Sequence, residues 1–254
     1  MSNFYDTIAR YYDAENYETT DDLPFYSELA AIYGGPILDV GCGTGRVMLH
    51  LAQEGYRTVG VDTSEYMVER GRRKLASLGE DARNATFVVG DIVEHQAVKP
   101  YNLILLPYHL FMHFREQDQQ IAVLKKLHEV LDDDGVVVFD LPNTGDAFAT
   151  QDDDAVRLDR TFVDFETGNV VMQQSVSHLD RVTQELHITW IYDEITPEGA
   201  LKRTLAPLTL RYIFLSELTL LLKLTGLRVA EIYGDYDHSP FMDGAPRMLV
   251  LAEK

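Results

Sequence analysis

Hydrophobic positions follow two alternating patterns between residues 36 and 140. Short apolar runs at Ile37–Val40, "YRTVGVDTS", "ATFVVGDI", "YNLILLP" and "VVVFDLP" predict strands. "YNLILLP" reads as buried on both faces. Between them lie windows with apolar residues three and four apart, which predict helices. One runs from near Gly45 to near Gly55. The next is capped by Ser64, turns Met67, Gly71, Leu75 and Leu78 inward, and stops at Gly79. A third is marked by Ile121, Leu124, Leu127 and Leu131 and ends in "DDDG". Alternation of this kind predicts an α/β fold with a parallel sheet and helices on its faces.

From residue 155 the pattern changes. The stretch 157–195 is rich in Thr, Val and aromatics, with turn signals at "ETGN" and "HLDR". It predicts antiparallel strands inserted after the fifth strand. A helix over 216–225, stopped by Gly226, and two closing strands in "LRVAEIYGDYD" and "RMLVLAEK" complete the pattern. The most apolar segment, "LAPLTLRYIFLSELTLLLKLTG", is interrupted by Arg211, Glu217 and Lys223, short of a ~20-residue membrane span. It reads as a strand followed by a buried helix.

A net charge of -19 over 254 residues lacks the basic footprint of a nucleic-acid binder and opposes an anionic membrane surface. No nucleic-acid or membrane partner is expected. Cys42 is the single cysteine, so neither an intrachain disulfide nor a cysteine metal cluster can form, which suits a reducing cytoplasm. The first twenty residues lack a basic start and an apolar stretch, so no signal peptide is expected. Asp152, Asp153 and Asp154 are adjacent acids without a His or Asn at ligand spacing. They read as solvated charge in a loop, and no metal is expected.

The chemistry concentrates in "PILDVGCGTGRV". Gly41, Gly43 and Gly45 alternate where a strand becomes a helix, which lets something lie against bare backbone. A phosphate-cradling loop would need GK[ST] at its end, which is absent. A dinucleotide fingerprint would place glycine where Arg46 stands.

"LDVGCGTGR", then "GVDTS" with Met67, then "GDI" resemble, in that order, the class I S-adenosylmethionine-dependent methyltransferases. The likeness spans nearly the whole chain. It implies a Rossmann-like doubly wound sheet of seven strands, mostly parallel with an antiparallel last strand. Its expected divisions are N-terminal lid helices (1–33), a cofactor-binding core (34–150), inserted antiparallel strands (151–200) and completion of the core sheet (201–254).

The resemblance also implies roles. Gly41, Gly43 and Gly45 would admit the amino-acid portion of S-adenosylmethionine, with Arg46 opening the helix whose amides face its carboxylate. Asp39 would support the loop or receive the ammonium group. Asp62, with Thr63 beside it, would accept both ribose hydroxyls. Asp91 would accept from the adenine amino group, Ile92 would donate from its backbone, and Met67 would pack on the ring.

Methyl transfer needs an aligned acceptor, exclusion of water and often a base. The fourth strand opens into "LPYHLFMHF", which resembles small-molecule methyltransferases with a histidine past this strand. His113 matches that position best as the base, with His109 its neighbour. The tyrosine-dense N-terminus resembles their lid helices, with Tyr12 walling the cofactor and Tyr17 at the reacting centre. Tyr233, Asp235, Tyr236 and Asp237 would emerge near the acceptor edge, although an ordinary acidic hairpin fits them better. The inserted strands would either roof the acceptor pocket or form a homodimer contact.

The expected function is methyl transfer to a small-molecule acceptor, with amine nitrogen favoured slightly over hydroxyl oxygen. A macromolecular methyltransferase and a cofactor-binding protein without turnover are the alternatives. The acidic balance and the absence of an Asn-Pro-Pro-Tyr motif count against nucleic-acid acceptors.

Overall fold

The computed structural model describes residues 4–145 and 153–254. In chain order, helices α1 (Phe4–Glu15) and α2 (Leu23–Tyr33) precede β1 (Ile37–Val40), α3 (Arg46–Gln53), β2 (Thr58–Asp62), α4 (Glu65–Leu78) and β3 (Ala85–Val89). β4 (Tyr101–Leu106), α5 (Gln117–Val130) and β5 (Leu131–Pro142) follow. Next come β6 (Asp153–Val163), β7 (Val170–Asp180), β8 (Glu185–Ile195) and β9 (Leu201–Arg211). α6 (Leu215–Leu224), β10 (Arg228–Tyr233) and β11 (Arg247–Glu253) close the chain.

The seven-stranded sheet has the order β10-β11-β5-β4-β1-β2-β3. β1 to β5 pair in parallel, whereas β11 runs antiparallel between β5 and β10. The expected Rossmann-like α/β architecture, antiparallel last strand included, is the observed one. Successive residues of its central strands face opposite layers. Ile104 and Leu106 pack with Val123, Leu127 and Leu222 on the α5/α6 side. Leu103 and Leu105 pack with Phe25, Leu29 and Leu51 on the α2/α3 side. Each fully buried side chain of this size contributes roughly 1.5–3 kcal/mol, so a strand buried on both faces anchors the sheet twice. Chain order reverses between β4 and β1, and a crevice opens there beyond the strand ends.

β6 to β9 form a separate antiparallel four-stranded sheet. It extends to Arg211, so the expected boundary at residue 200 falls too early. Val170–Asp180 pairs along β8, and β8 pairs along β9 through Arg211, so β9 belongs to the insertion. Asp153 and Asp154 begin strand β6 instead of lying in a loop, and Asp152 lies outside the described residues. At the other junction, Leu131 does not continue α5. It pairs with Tyr101 as the first residue of β5, and "DDDG" belongs to that strand, with a register shift before Val136. α1 packs on the inserted sheet through Phe4, Ile8 and Tyr11 against Val171, Tyr192 and Ala206. Among the described residues, no helix is long and apolar enough to cross a membrane.

Candidate active site

The glycine bend is built by backbone conformation. Gly41, Gly43 and Gly45 have φ of +63°, +54° and +85°, a region side chains rarely adopt. The bend turns the chain from β1 into α3 and hangs on Val61 through the Gly41 and Cys42 amides. The three glycines then diverge. Gly41 and Gly43 line the pocket at the strand ends. Gly45 does not. A side chain there would overlap the Phe87 ring and Leu49, so close packing, with no opening toward a ligand, explains this glycine.

Asp39 is fully buried beneath the bend. Its Oδ2 accepts from the Met48 amide of α3 at 3.2 Å, while its Oδ1 has no partner among the described residues. Burial raises its pKa to about 7 against the pull of the Met48 amide and Arg46. Asp62 lies across the pocket, accepting the Gly43 amide at Oδ2 and the Ser64 amide at Oδ1, both at 2.8 Å. Burial raises its pKa as well. Met67 is buried beside Gly43, and Ser64 caps α4 by accepting the Met67 amide, as the sequence predicts. Arg46 lines the pocket, but its guanidinium is engaged by Asp22 through two 2.5 Å contacts and by the Thr19 carbonyl.

A second lobe of about 230 Å³ holds Thr63, Asp91 and Ile92. Tyr5, Gly41, Asp62 and Leu110 line both lobes. Asp91 also accepts the Val93 amide at 2.9 Å and so caps the turn after β3. Asp39 lines one lobe and the Asp91 loop the other. Asp62 and the bare backbone of Gly41 and Gly43 lie between. These residues fit an elongated ligand with an ammonium group and a nucleoside.

A cavity of about 210 Å³ adjoins these lobes. α1 lends it Tyr5, Ile8, Tyr12 and Glu15, one helix face at spacings of three, four and three. The inserted sheet lends it Leu186, Ile188, Trp190, Leu208 and Leu210. Tyr5, Tyr12 and Tyr108 line both this cavity and the glycine pocket. The Tyr5 hydroxyl and His113 Nε2 share a 3.0 Å hydrogen bond. Burial, with His109 as a smaller cause, pulls the His113 pKa down to about 4, so its imidazole is neutral at physiological pH. His109 is also shifted down by burial.

After Pro107 the chain takes two consecutive left-handed residues, Tyr108 at φ 51° and His109 at φ 64°. Asp140, buried at the end of β5, holds this kink. It also accepts from the Tyr26 and Tyr236 hydroxyls and pairs with Arg247. Non-glycine residues in this conformation persist only where surroundings enforce it.

Tyr17 is a correction. It is 73% exposed, stacks edge-on against Phe165 and lies outside the cavity. It follows the C-terminus of α1, and the cavity-facing row of that helix ends at Glu15. Asp235 and Asp237 do not line the cavity, while Tyr236 reaches Asp140 instead. Tyr5, Glu15 and Asp140 were missed. Helical spacing from Tyr12 back to Ile8 and Tyr5 and forward to Glu15 would have found the first two. Asp140, inside an apolar run, carried no local signal. Among the described residues, no group of three or more His, Cys, Asp or Glu side chains is arranged to hold a metal.

Residues 37–135 match the model of a methyltransferase domain family. Over 221 residues the chain is 25% identical to a cypemycin N-terminal methyltransferase from Streptomyces sp., covering 87% of this chain and 84% of that one. The chain is a class I S-adenosylmethionine-dependent methyltransferase. The fold of this methyltransferase is shared with the CcbJ methyltransferase from Streptomyces caelestis, at TM-score 0.78 and 23% identity, over 95% of each chain. It is shared also with the sugar N-methyltransferase KedS8 from Streptoalloteichus sp., at TM-score 0.73 and 17% identity, over 100% of this chain and 94% of that one.

Proposed function

We propose that this methyltransferase alkylates the nitrogen of a small amine held in the cavity between α1 and the inserted sheet. One observation carries the reading: the glycine pocket and this cavity adjoin, sharing Tyr5, Tyr12 and Tyr108 as lining, and His113 lies between the cavity and the second lobe. A volume of about 210 Å³ suits a small molecule or the end of a larger one. The relative's activity on an N-terminus and KedS8's on a sugar nitrogen favour nitrogen over oxygen.

Bound S-adenosylmethionine supplies an electrophilic methyl group on its sulfonium. Asp39 receives the ammonium with its unpartnered oxygen, and the Gly41–Gly43 backbone leaves room for the amino-acid chain. Asp62 accepts from the ribose hydroxyls, Thr63 flanks them, and Asp91 and Ile92 edge the adenine, with Met67 behind the bend. Tyr12 and Tyr5 wall the reacting centre and exclude water. Arg46, locked to Asp22, shapes the pocket floor and ties it to the segment before α2. The amine's proton passes to the Tyr5 hydroxyl as that hydroxyl's own proton passes to His113 Nε2, and the imidazole, with its pKa near 4, hands the proton on to solvent. In this reading α1 acts as the lid and the four-stranded insertion as the roof of the acceptor site.

Incubation with radiolabelled cofactor and a panel of small amines, alcohols and phenols tests the reading. Label is expected on amines. Exclusive transfer to hydroxyl oxygen would move the assignment to O-methylation, and tight cofactor binding without transfer to any acceptor would overturn turnover itself.

A further inference from the structure

The wall of the cavity away from the glycine bend is built to receive a hydrogen-bond donor. Glu15, on the last turn of α1, is the one carboxylate lining the cavity among the described residues. Its Oε2 accepts from the Tyr192 hydroxyl at 2.9 Å and its Oε1 from Gln173 Nε2 at 2.8 Å. Tyr192 and Gln173 are themselves buried, at 0% and 2% exposure, and bonded to each other at 3.3 Å. The carboxylate is therefore fixed by two rigid neighbours on the inserted sheet. Gln173 does not itself line the cavity and acts there only by holding Glu15. Arg160, the lining cation, donates Nη1 to the Glu15 carbonyl at 2.9 Å, and its charge also acts on the carboxylate, whose hydrogen bonds come from Tyr192 and Gln173. Asn16, His109 and His113 also line the cavity, and its other walls are aliphatic and aromatic. A fixed carboxylate at one end of a largely apolar chamber selects a ligand that is apolar along its sides and donor-bearing at that end.

Distance sets where the donor must sit. Tyr12 borders the reacting centre, and Glu15 lies three residues along the same helix, about 4.5 Å further at 1.5 Å per residue. We propose that Glu15 is a specificity-determining residue that selects acceptors carrying a second N–H or O–H group, about one helical turn from the nitrogen that is methylated. This rests on the reading of the cavity as the acceptor site.

Two matched acceptors test it: an aliphatic monoamine, and an amine of equal size bearing a second amino or hydroxyl group three to four bonds away. The wild-type enzyme is expected to favour the donor-bearing amine by about tenfold or more in kcat/KM. Glu15→Leu should bring that ratio close to one, through KM, and Glu15→Gln should retain part of it because an amide oxygen still accepts. The affinity for S-adenosylhomocysteine, read by calorimetry, should stay within about twofold in both variants. Should Glu15→Leu fail to fold, Glu15→Gln and Tyr192→Phe carry the measurement, since each loosens the same acceptor group while keeping its volume. A ratio unchanged in every folded variant, or a wild-type enzyme indifferent to the second donor, overturns the inference and leaves the N-methylation reading standing. Failure of the wild-type enzyme to methylate either amine while binding S-adenosylhomocysteine defeats that underlying reading instead.

Discussion

Asp140 holds the backbone of Tyr108. Its Oδ2 accepts the Tyr108 amide at 3.1 Å, and its own carbonyl accepts the next amide, that of His109, at 3.0 Å. The strand end of β5 thereby fixes two left-handed residues at the end of β4, and the turn bearing His113 follows directly. The same carboxylate gathers the hydroxyls of Tyr26 and Tyr236 and the Arg247 guanidinium, so α2 and the closing strands converge on one buried charge. Asp140→Asn keeps an acceptor but removes the charge opposite Arg247. It should lower stability by about 1–3 kcal/mol in denaturant unfolding. It should also reduce kcat by about tenfold or more, with S-adenosylhomocysteine affinity changed much less. Loss of stability with unchanged kcat per folded molecule would show that the kink does not position the catalytic turn.

His113 sets the acid side of the pH profile. With its pKa near 4 it is neutral from about pH 5 upward, so the base should be available throughout the neutral range. The imidazole acquires its proton in the unfolded chain near 6.5 but in the folded chain only near 4. Its contribution to stability is therefore intact above pH 6.5 and lost as pH falls toward 4. His113→Ala should lower kcat by about a hundredfold or more while removing the imidazole's share of the acid destabilisation between pH 6.5 and 4. Tyr5→Phe, which removes the hydroxyl partner, should lie between. Full turnover in His113→Ala would leave the amine to lose its proton to solvent.

Gly43 and Gly45 look equivalent in the sequence and should behave differently. Gly45→Ala forces a methyl into Phe87 at a φ of +85°, so it should destabilise the fold by roughly 1–3 kcal/mol. Its effect on cofactor affinity per folded molecule should be small. Gly43→Ala meets only the end of Met67, at 3.3 Å, but projects into the pocket. It should weaken S-adenosylhomocysteine binding by about tenfold or more, with the smaller loss of melting temperature. Thermal unfolding and calorimetry on both variants decide this, and the reverse ranking would return Gly45 to the binding surface.

What the sequence made legible was local. The strand-to-helix bend, Asp62 ending β2 and the cap at Ser64 are each written in a few adjacent residues, and periodicity separated the parallel core from the inserted sheet. The limits of the insertion were less legible, because "LAPLTLR" reads as a strand in either sheet and only its pairing with β8 assigns it. Side-chain direction was hidden too. Tyr12 and Tyr17 share a tyrosine-rich stretch, but one lies on the cavity face of α1 and the other beyond its end. Asp140 illustrates the general difficulty: its four partners come from positions between 26 and 247, so no window of sequence contains its role.

Asp39 offers a test that needs no turnover. Its carboxyl is buried with one oxygen unpartnered among the described residues, and burial holds its pKa at about 7. Burial, aided by Asp62 and Asp22, pushes it up and outweighs the downward pull of the Met48 amide and Arg46. A raised folded pKa means that the stability linked to this group is fully present below the unfolded value near 3.8. That stability is lost as pH rises through about 7, where the carboxylate must ionise in place. A ligand ammonium against Oδ1 would favour the ionised form and pull the pKa back down. Binding of S-adenosylhomocysteine at pH 6 should therefore release up to one proton, seen as a dependence of the calorimetric enthalpy on the ionisation heat of the buffer. Release should fade by about pH 8, and affinity should rise between the two. Asp39→Asn should abolish the buffer dependence, weaken binding by about tenfold or more, and stabilise the free protein at pH 8 relative to pH 5. Proton release that persists in Asp39→Asn would place the titrating group elsewhere and leave Asp39 as a support for the α3 amide alone.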